Sequence, residues 1–267
     1  MKKPHSRPKA AFHTPRSADR KPGIARNRLI IGRKPIIEAL EGGTDIDKIF
    51  ILKSATGDDI QTIKQKARER NIAWSMVPIE KLDRMSKSNH QGIIGVAGLI
   101  TYYPLQPVID QVTDKGEIPL FMVLDGITDT RNLGAIARSA YCFGADAIVM
   151  PVSNAAAVTE DAIKTSAGAL AHIPVCREAS IEQIMDILRL NGIRTMAMDI
   201  NGSEIGGTLT ADQPVAIIMG AEDIGVSKFV LKNADQLVRI PQSNKFDSLN
   251  VSVAAGIVLY EIFKSRS

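Results

Sequence analysis

Apolar and polar positions alternate between two periods along most of the chain. From Leu29 onward, short apolar runs bounded by turn residues alternate with stretches of helical spacing. In the first third the pattern predicts helices at Lys34–Leu40 and Asp58–Arg70, with Ile60 and Ile63 of the second on one face. It predicts strands at Lys48–Leu52, Ile72–Val77 and Ile93–Leu99. Residues 100–118 lose the periodicity and carry Pro104, Pro107 and Gly116, which reads as a linker. From Pro119 the alternation resumes, with strands expected at Leu120–Leu124, Ala147–Met150, Thr195–Met198, Val215–Met219 and Leu237–Ile240. Helices are expected at Leu133–Phe143, Thr159–Ala167, Ile181–Asn191, Val226–Asn233 and Leu249–Lys264. Apolar runs of this length suit buried parallel strands, so the expected class is α/β. The expected division is 1–27 as a tail, 28–99 as a small α/β domain, 100–118 as a linker and 119–267 as a larger α/β domain.

The last predicted helix does not keep its apolar residues to one stripe, which predicts burial on more than one side. It opens on polar Ser248 and Asn250, so a buried helix presents a polar end.

Charge is polarised. Residues 1–34 hold eleven Lys and Arg against Asp19 alone, a balance of +10, while the remainder sums to −6. The prolines and charges of residues 1–27 predict a disordered basic tail, either an arm that contacts nucleic acid or a solvated leader. That tail lacks the apolar core of a secretory signal, and no apolar run approaches a membrane span. Cys142 and Cys176 lack metal-site spacing and suggest no disulfide framework. These readings predict a cytoplasmic protein without metal.

Three strand-to-helix connections carry the candidate chemistry. In the first, Asn132 is placed to cap a helix, and Arg138 lies among the small residues Ala135, Ser139 and Cys142. By itself Arg138 reads as a surface arginine. In the second, a strand ends at Gly220 and a loop with Glu222 and Gly225 opens a helix; Glu222 either caps it or holds a charged group. In the third, Pro241 stops the last strand before Ser248, Leu249 and Asn250. Ligand sites of open parallel sheets lie outside the carboxyl ends of the strands. No phosphate-binding glycine loop or nucleophile elbow is present. His90, in the polar loop Ser88–Gly92, reads as a structural histidine.

The stretches Asn132–Arg138, Ile218–Ser227 and Ile240–Ala254 resemble, in order and spacing, the three motifs of the SpoU (TrmH-like) RNA ribose 2′-O-methyltransferases of the SPOUT superfamily. His90-Gln91-Gly92 and the N-terminal unit resemble the RNA substrate-binding domain of the RlmB-like branch. The resemblance implies a parallel-sheet methyltransferase domain with a C-terminal trefoil knot, and a homodimer formed through the knot. It implies S-adenosylmethionine held at Gly220, Ile240 and Leu249. It further implies that Arg138 acts on the ribose 2′-hydroxyl, with Asn132, Glu222, Ser248 and Asn250 positioning it and the sugar. The implied substrate is a guanosine of 23S ribosomal RNA, with transfer RNA second; a catalytically silent RNA-binding or ribosome-assembly protein is the rival of another class. The Met and Gly usual after Ile-Pro in the family are replaced here by Gln242–Asp247, where Asn244 tolerates left-handed backbone.

Overall fold

The computed structural model describes residues 24–205, 213–243 and 248–266. Most of the tail expected over residues 1–27, and residues 244–247 of the altered connection, lie outside these. So do residues 206–212, and the expected trefoil threading falls partly on these stretches.

Two sheets organise the chain. The first has order β1 (Leu29–Ile31), β4 (Ile93–Ala97), β2 (Ile46–Leu52), β3 (Ala73–Val77). β4 runs antiparallel to both neighbours, whereas β2 and β3 are parallel. α1 (Arg33–Glu41) and α2 (Asp58–Glu69) bury Ile36, Leu40, Ile60 and Ile63 on one face. α3 (Ile79–Met85) packs Leu82 against Phe50 and Ile94 on the other. His90 is buried; its Nδ1 accepts from Gly92 N–H at 3.0 Å and its Nε2 lies 3.1 Å from Asp83 Oδ1.

The stretch 100–118 is not the aperiodic linker expected. It contains β5 (Tyr102–Tyr103) and α4 (Leu105–Asp114), whose Leu105, Val108, Ile109 and Val112 are buried at helical spacing. Pro104 and Pro107 fall just before and within the first turn, where a missing N–H costs nothing.

The second sheet has seven parallel strands in the order β11 (Gln236–Arg239), β9 (Arg194–Glu204), β10 (Val215–Gly220), β6 (Leu120–Asp125), β7 (Ala147–Pro151), β8 (Val175–Glu178), β5. The side chains of β6 alternate between the two faces. Leu120, Met122 and Leu124 meet α5 (Thr130–Cys142), α6 (Glu160–Thr165) and α9 (Val251–Arg266). Phe121 and Val123 meet α4, α7 (Ile181–Leu190) and α8 (Lys228–Asn233). From β6 the chain moves outward through β7 and β8, then crosses to β9 and returns to β10. The β6–β10 boundary is therefore the topological switch point, where open α/β sheets leave room for a ligand.

α9 buries Val251, Ala255, Val258, Leu259 and Ile262, but leaves Val253, Tyr260 and Phe263 51%, 48% and 46% exposed. In the isolated chain the helix is thus covered on one side only. At its end, Arg266 donates to the carbonyls of Ile118, Pro119 and Gln213, ahead of β6 and β10.

α5 reaches α6 closely only because Gly134 has no side chain: a Cβ there would meet Ala162 O at 2.6 Å and Thr165 Cβ at 2.8 Å. Gly134→Ala is expected to cost about 1–3 kcal/mol through overpacking. Denaturant unfolding at constant m-value measures it, and an unchanged midpoint would contradict the close contact.

Candidate functional site

β6 ends in Asp125, a carboxylate only 8% exposed that follows five buried apolar residues. The chain turns at Gly126, with φ 80°, and enters α5. The helix cap is Asp129, not the expected Asn132: Asp129 Oδ1 accepts from Arg131 N–H at 2.7 Å and Asn132 N–H at 3.1 Å. Asn132 is already inside the first turn, so its side chain is released from capping. Its Nδ2 donates to Glu222 Oε2 in a long bond of 3.4 Å, and its Oδ1 accepts from Asn250 Nδ2 at 3.2 Å.

The connection after β10 closes on itself. Ala221 and Gly225 exchange backbone hydrogen bonds of 3.0 and 2.8 Å, with Gly225 at φ 68°. Gly220 packs so tightly beneath this turn that a Cβ would overlap the backbone of Gly225 and Val226. α8 is capped by Ser227, whose Oγ accepts from Val230 N–H, so Glu222 is not a cap and points instead to Asn132. Ser227 N–H donates to Asp125 Oδ2 at 2.6 Å, tying the first connection to the second. The third arrives through Ile240, resumes at Ser248 and Leu249, and enters α9 after Asn250. Asn250 Oδ1 accepts from Ser252 N–H at 3.0 Å and Ser252 Oγ at 2.6 Å.

These connections enclose a cavity of about 690 Å³ lined by Asp199, Gly220, Glu222, Ile240, Ser248 and Leu249, among others. A second, of about 370 Å³, reaches Gly126, Thr128 and Asn132. Ala221, Glu222, Asp223 and Val251 wall both. The larger cavity suits a small ligand. It has apolar lips, Ile200 and Ile224, 71% and 78% exposed. Among the described residues its wall carries Asp199, Glu222 and Asp223, whereas the lining cation among them, Arg239, is paired with Glu204 at 3.2 Å. The potential there favours a cationic ligand. No group of three His, Cys, Asp or Glu among the described residues could hold a metal ion, and no helix among them is long and apolar enough to cross a membrane.

Arg138 stands apart. It lies six residues beyond Asn132 on α5, about 9 Å along the axis, and lines neither cavity. It is exposed and makes no hydrogen bond or ion pair with another described residue. The other predicted site residues gather at the carboxyl ends of the strands. Sequence reasoning missed Asp125, Asp129 and Asp199. For Asp125 the signal was a carboxylate directly ending a buried apolar run.

Comparison with known proteins relates the chain to RNA methyltransferases. Residues 119–260 match the model of the SpoU rRNA Methylase family, and residues 29–103 match the model for RNA 2′-O ribose methyltransferase substrate binding. A Bacillus subtilis protein assigned to the TrmH family of tRNA/rRNA methyltransferases is 31% identical over 238 residues, which is 89% of this chain and 96% of the relative. The AdoMet-bound rRNA methyltransferase structure from Sinorhizobium meliloti is 26% identical with a TM-score of 0.57, covering 89% of this chain and 88% of that one. The SpoU methyltransferase AviRb from Streptomyces viridochromogenes shares the fold at 23% identity and a TM-score of 0.55, covering 89% of each chain.

Asp125→Ala is expected to leave the half-buried Ser227 N–H without its partner and cost about 1 kcal/mol. Hydrogen exchange at Ser227 and Gly225 should quicken more than in the strand below. Uniform exchange along β10 and its loop would show that the carboxylate does not hold the turn.

Proposed function

Given that the chain belongs to the SpoU rRNA methylase family and is an S-adenosylmethionine-dependent RNA methyltransferase, we propose that it methylates the ribose 2′-hydroxyl of a guanosine in 23S ribosomal RNA. The observation that carries the reading is the convergence of Gly220, Ile240 and Leu249 on an acidic cavity beside the Asn132–Glu222–Asn250 cluster. The cavity fits the cofactor in size, and its carboxylates suit the cofactor's sulfonium and ammonium charges. Gly220, Ile240 and Leu249 would hold it, and Asp199 and Glu222 would supply negative charge for its cationic groups. Bound there, S-adenosylmethionine supplies a methyl group made electrophilic by the sulfonium.

The chain's remaining task is to place a 2′-oxygen in line with that methyl and ease loss of its proton. Asn132 and Asn250 orient the ribose from the smaller cavity. Arg138 is too basic to accept the proton. Its guanidinium would clamp the neighbouring phosphate and donate to the oxygen as negative charge develops, which eases release of the hydroxyl proton to solvent water.

Arg138 lies outside its own chain's cavity, so the reading requires a homodimer in which it reaches the partner's site. The exposed stripe Val253, Tyr260 and Phe263 on α9 supports this, since clustered exposed apolar side chains mark association surfaces. α9 packs beside α5, with Gly256 against Ser139, next to Arg138. The N-terminal unit, residues 28–99, docks the RNA. Lys34 in the first turn of α1, and Lys53 and Lys87 on connections, are exposed at one end of its sheet and supply charge for phosphates.

Methyl transfer to unmodified 23S ribosomal RNA, with mass-spectrometric mapping, tests the reading; labelling confined to transfer RNA would reassign the substrate. Arg138→Ala is expected to lower turnover by about 10²–10³-fold while cofactor binding by calorimetry stays unchanged. Gly220→Ala should abolish cofactor binding by displacing the turn. Mixing these two inactive variants should restore activity, because one mixed site combines an intact cavity with the partner's arginine. Failure of the mixture to recover, with heterodimers demonstrated, would place Arg138 in its own chain's site.

A further inference from the structure

The two sheets meet through a polar cluster that the cavity does not use. Arg177 and Glu178 end β8, yet they are only 5% and 3% exposed. Arg177 reaches out of the larger sheet into the smaller one. Its Nη2 donates to Asp47 Oδ1 and its Nη1 to the Asp47 carbonyl, both at 3.2 Å. Asp47, 7% exposed, is the extra residue of a bulge in β2, where the register with β4 jumps between Ile46 and Lys48. The bulge releases the Asp47 carbonyl from the ladder and turns its side chain towards β8. The Arg177 guanidinium lies 3.4 Å from the centre of the Tyr102 ring, and Tyr102 Oη donates to Asp47 Oδ1 at 2.8 Å. Burial holds the Tyr102 hydroxyl well above its ordinary titration range, so it remains a donor. From the smaller unit, Asn71 Nδ2 donates to Arg177 O at 3.1 Å and Glu178 Oε2 at 3.2 Å, while Glu178 Oε1 accepts from Leu105 N–H at 2.7 Å.

We infer that this Arg177–Asp47–Tyr102 latch is a positioning device that holds the substrate-binding unit at one fixed orientation to the methyl-transfer cavity, so that the spacing between them selects the nucleotide. An apolar contact would join the units at least as stably, because buried ion pairs repay their desolvation poorly. What fixed donors and acceptors add is a single geometry. Here they also leave Arg177 Nε buried without a hydrogen-bond partner, a cost that apolar packing would avoid. The lysine-bearing end of the small sheet lies at the opposite end of β2, about 20 Å away for a strand of this length. A tilt of about 10° at the latch would carry that end roughly 3.5 Å, near one nucleotide step of a stacked strand. A hinge could not discriminate neighbouring riboses; a bolted joint can. The inference rests on the RNA-methyltransferase reading only for its selectivity.

Arg177→Met keeps an unbranched stem on Tyr102 and removes the fork. Asp47→Asn keeps the shape of its partner, and Tyr102→Phe deletes one donor, so a folded variant is secured if the first fails to fold. In small-angle scattering of the full chain, Arg177→Met is expected to broaden the distribution of interdomain distances. Cofactor binding should stay within about twofold of wild type, KM for the RNA should rise about tenfold, and mapped methylation should spread to neighbouring nucleotides. Arg177→Lys should recover part of the selectivity. Unchanged scattering with methylation still confined to one position would overturn the latch and leave it as packing alone. If the wild type methylates no RNA, the functional reading fails, and the scattering comparison still decides the joint.

Discussion

The contact on which the site depends is the hydrogen bond of Ser227 N–H to Asp125 Oδ2, at 2.6 Å. A parallel sheet leaves the last backbone groups of its strands without ladder partners, and the segments that follow must find others. At the switch point the ends of β6 and β10 lie side by side, so one buried carboxylate can serve both. Asp125 thereby fixes the start of α8, the closed Ala221–Gly225 turn and the floor at Gly220. Once the turn is fixed, Glu222 reaches Asn132, Asn132 reaches Asn250, and three stretches far apart in sequence share one wall.

Much of this was legible beforehand, and what was not has a physical reason. The five strands expected after Pro119 all form, because long apolar runs have no other way to be buried. β8 escaped notice because Val175-Cys176-Arg177-Glu178 carries only two apolar residues; its charged half is buried by the Arg177–Asp47 ion pair and by hydrogen bonds to Glu178, which no period reveals. α4 was hidden by prolines that in fact sit just before and within its first turn. The three loops were identifiable by their glycines and polar residues, but the division of labour within them was not. Asp129 takes the cap and frees Asn132, a choice made by geometry between two equally suitable residue types. Arg138 is exposed and lines neither cavity, which spacing along one helix cannot disclose.

Two kinds of join coexist in the molecule. Within the larger sheet and its helices the contacts are apolar and close-packed, as at Gly134 against α6. Between the two sheets they are polar, directional and buried, as at Arg177 and Asp47. The first kind tolerates small adjustments by repacking. The second tolerates almost none, since a shifted donor leaves a buried charge unpaired. The chain has placed its least forgiving contacts where relative orientation matters most.

The ends of the large sheet carry a final consequence. At one edge stands β5, two residues long; at the other, β11 is four residues long and brings Arg239 to the boundary. Brief or charged border strands give a stray polypeptide little ladder to extend, which guards a wide sheet against fibrous aggregation. Contact between copies through the sheet borders is thereby disfavoured.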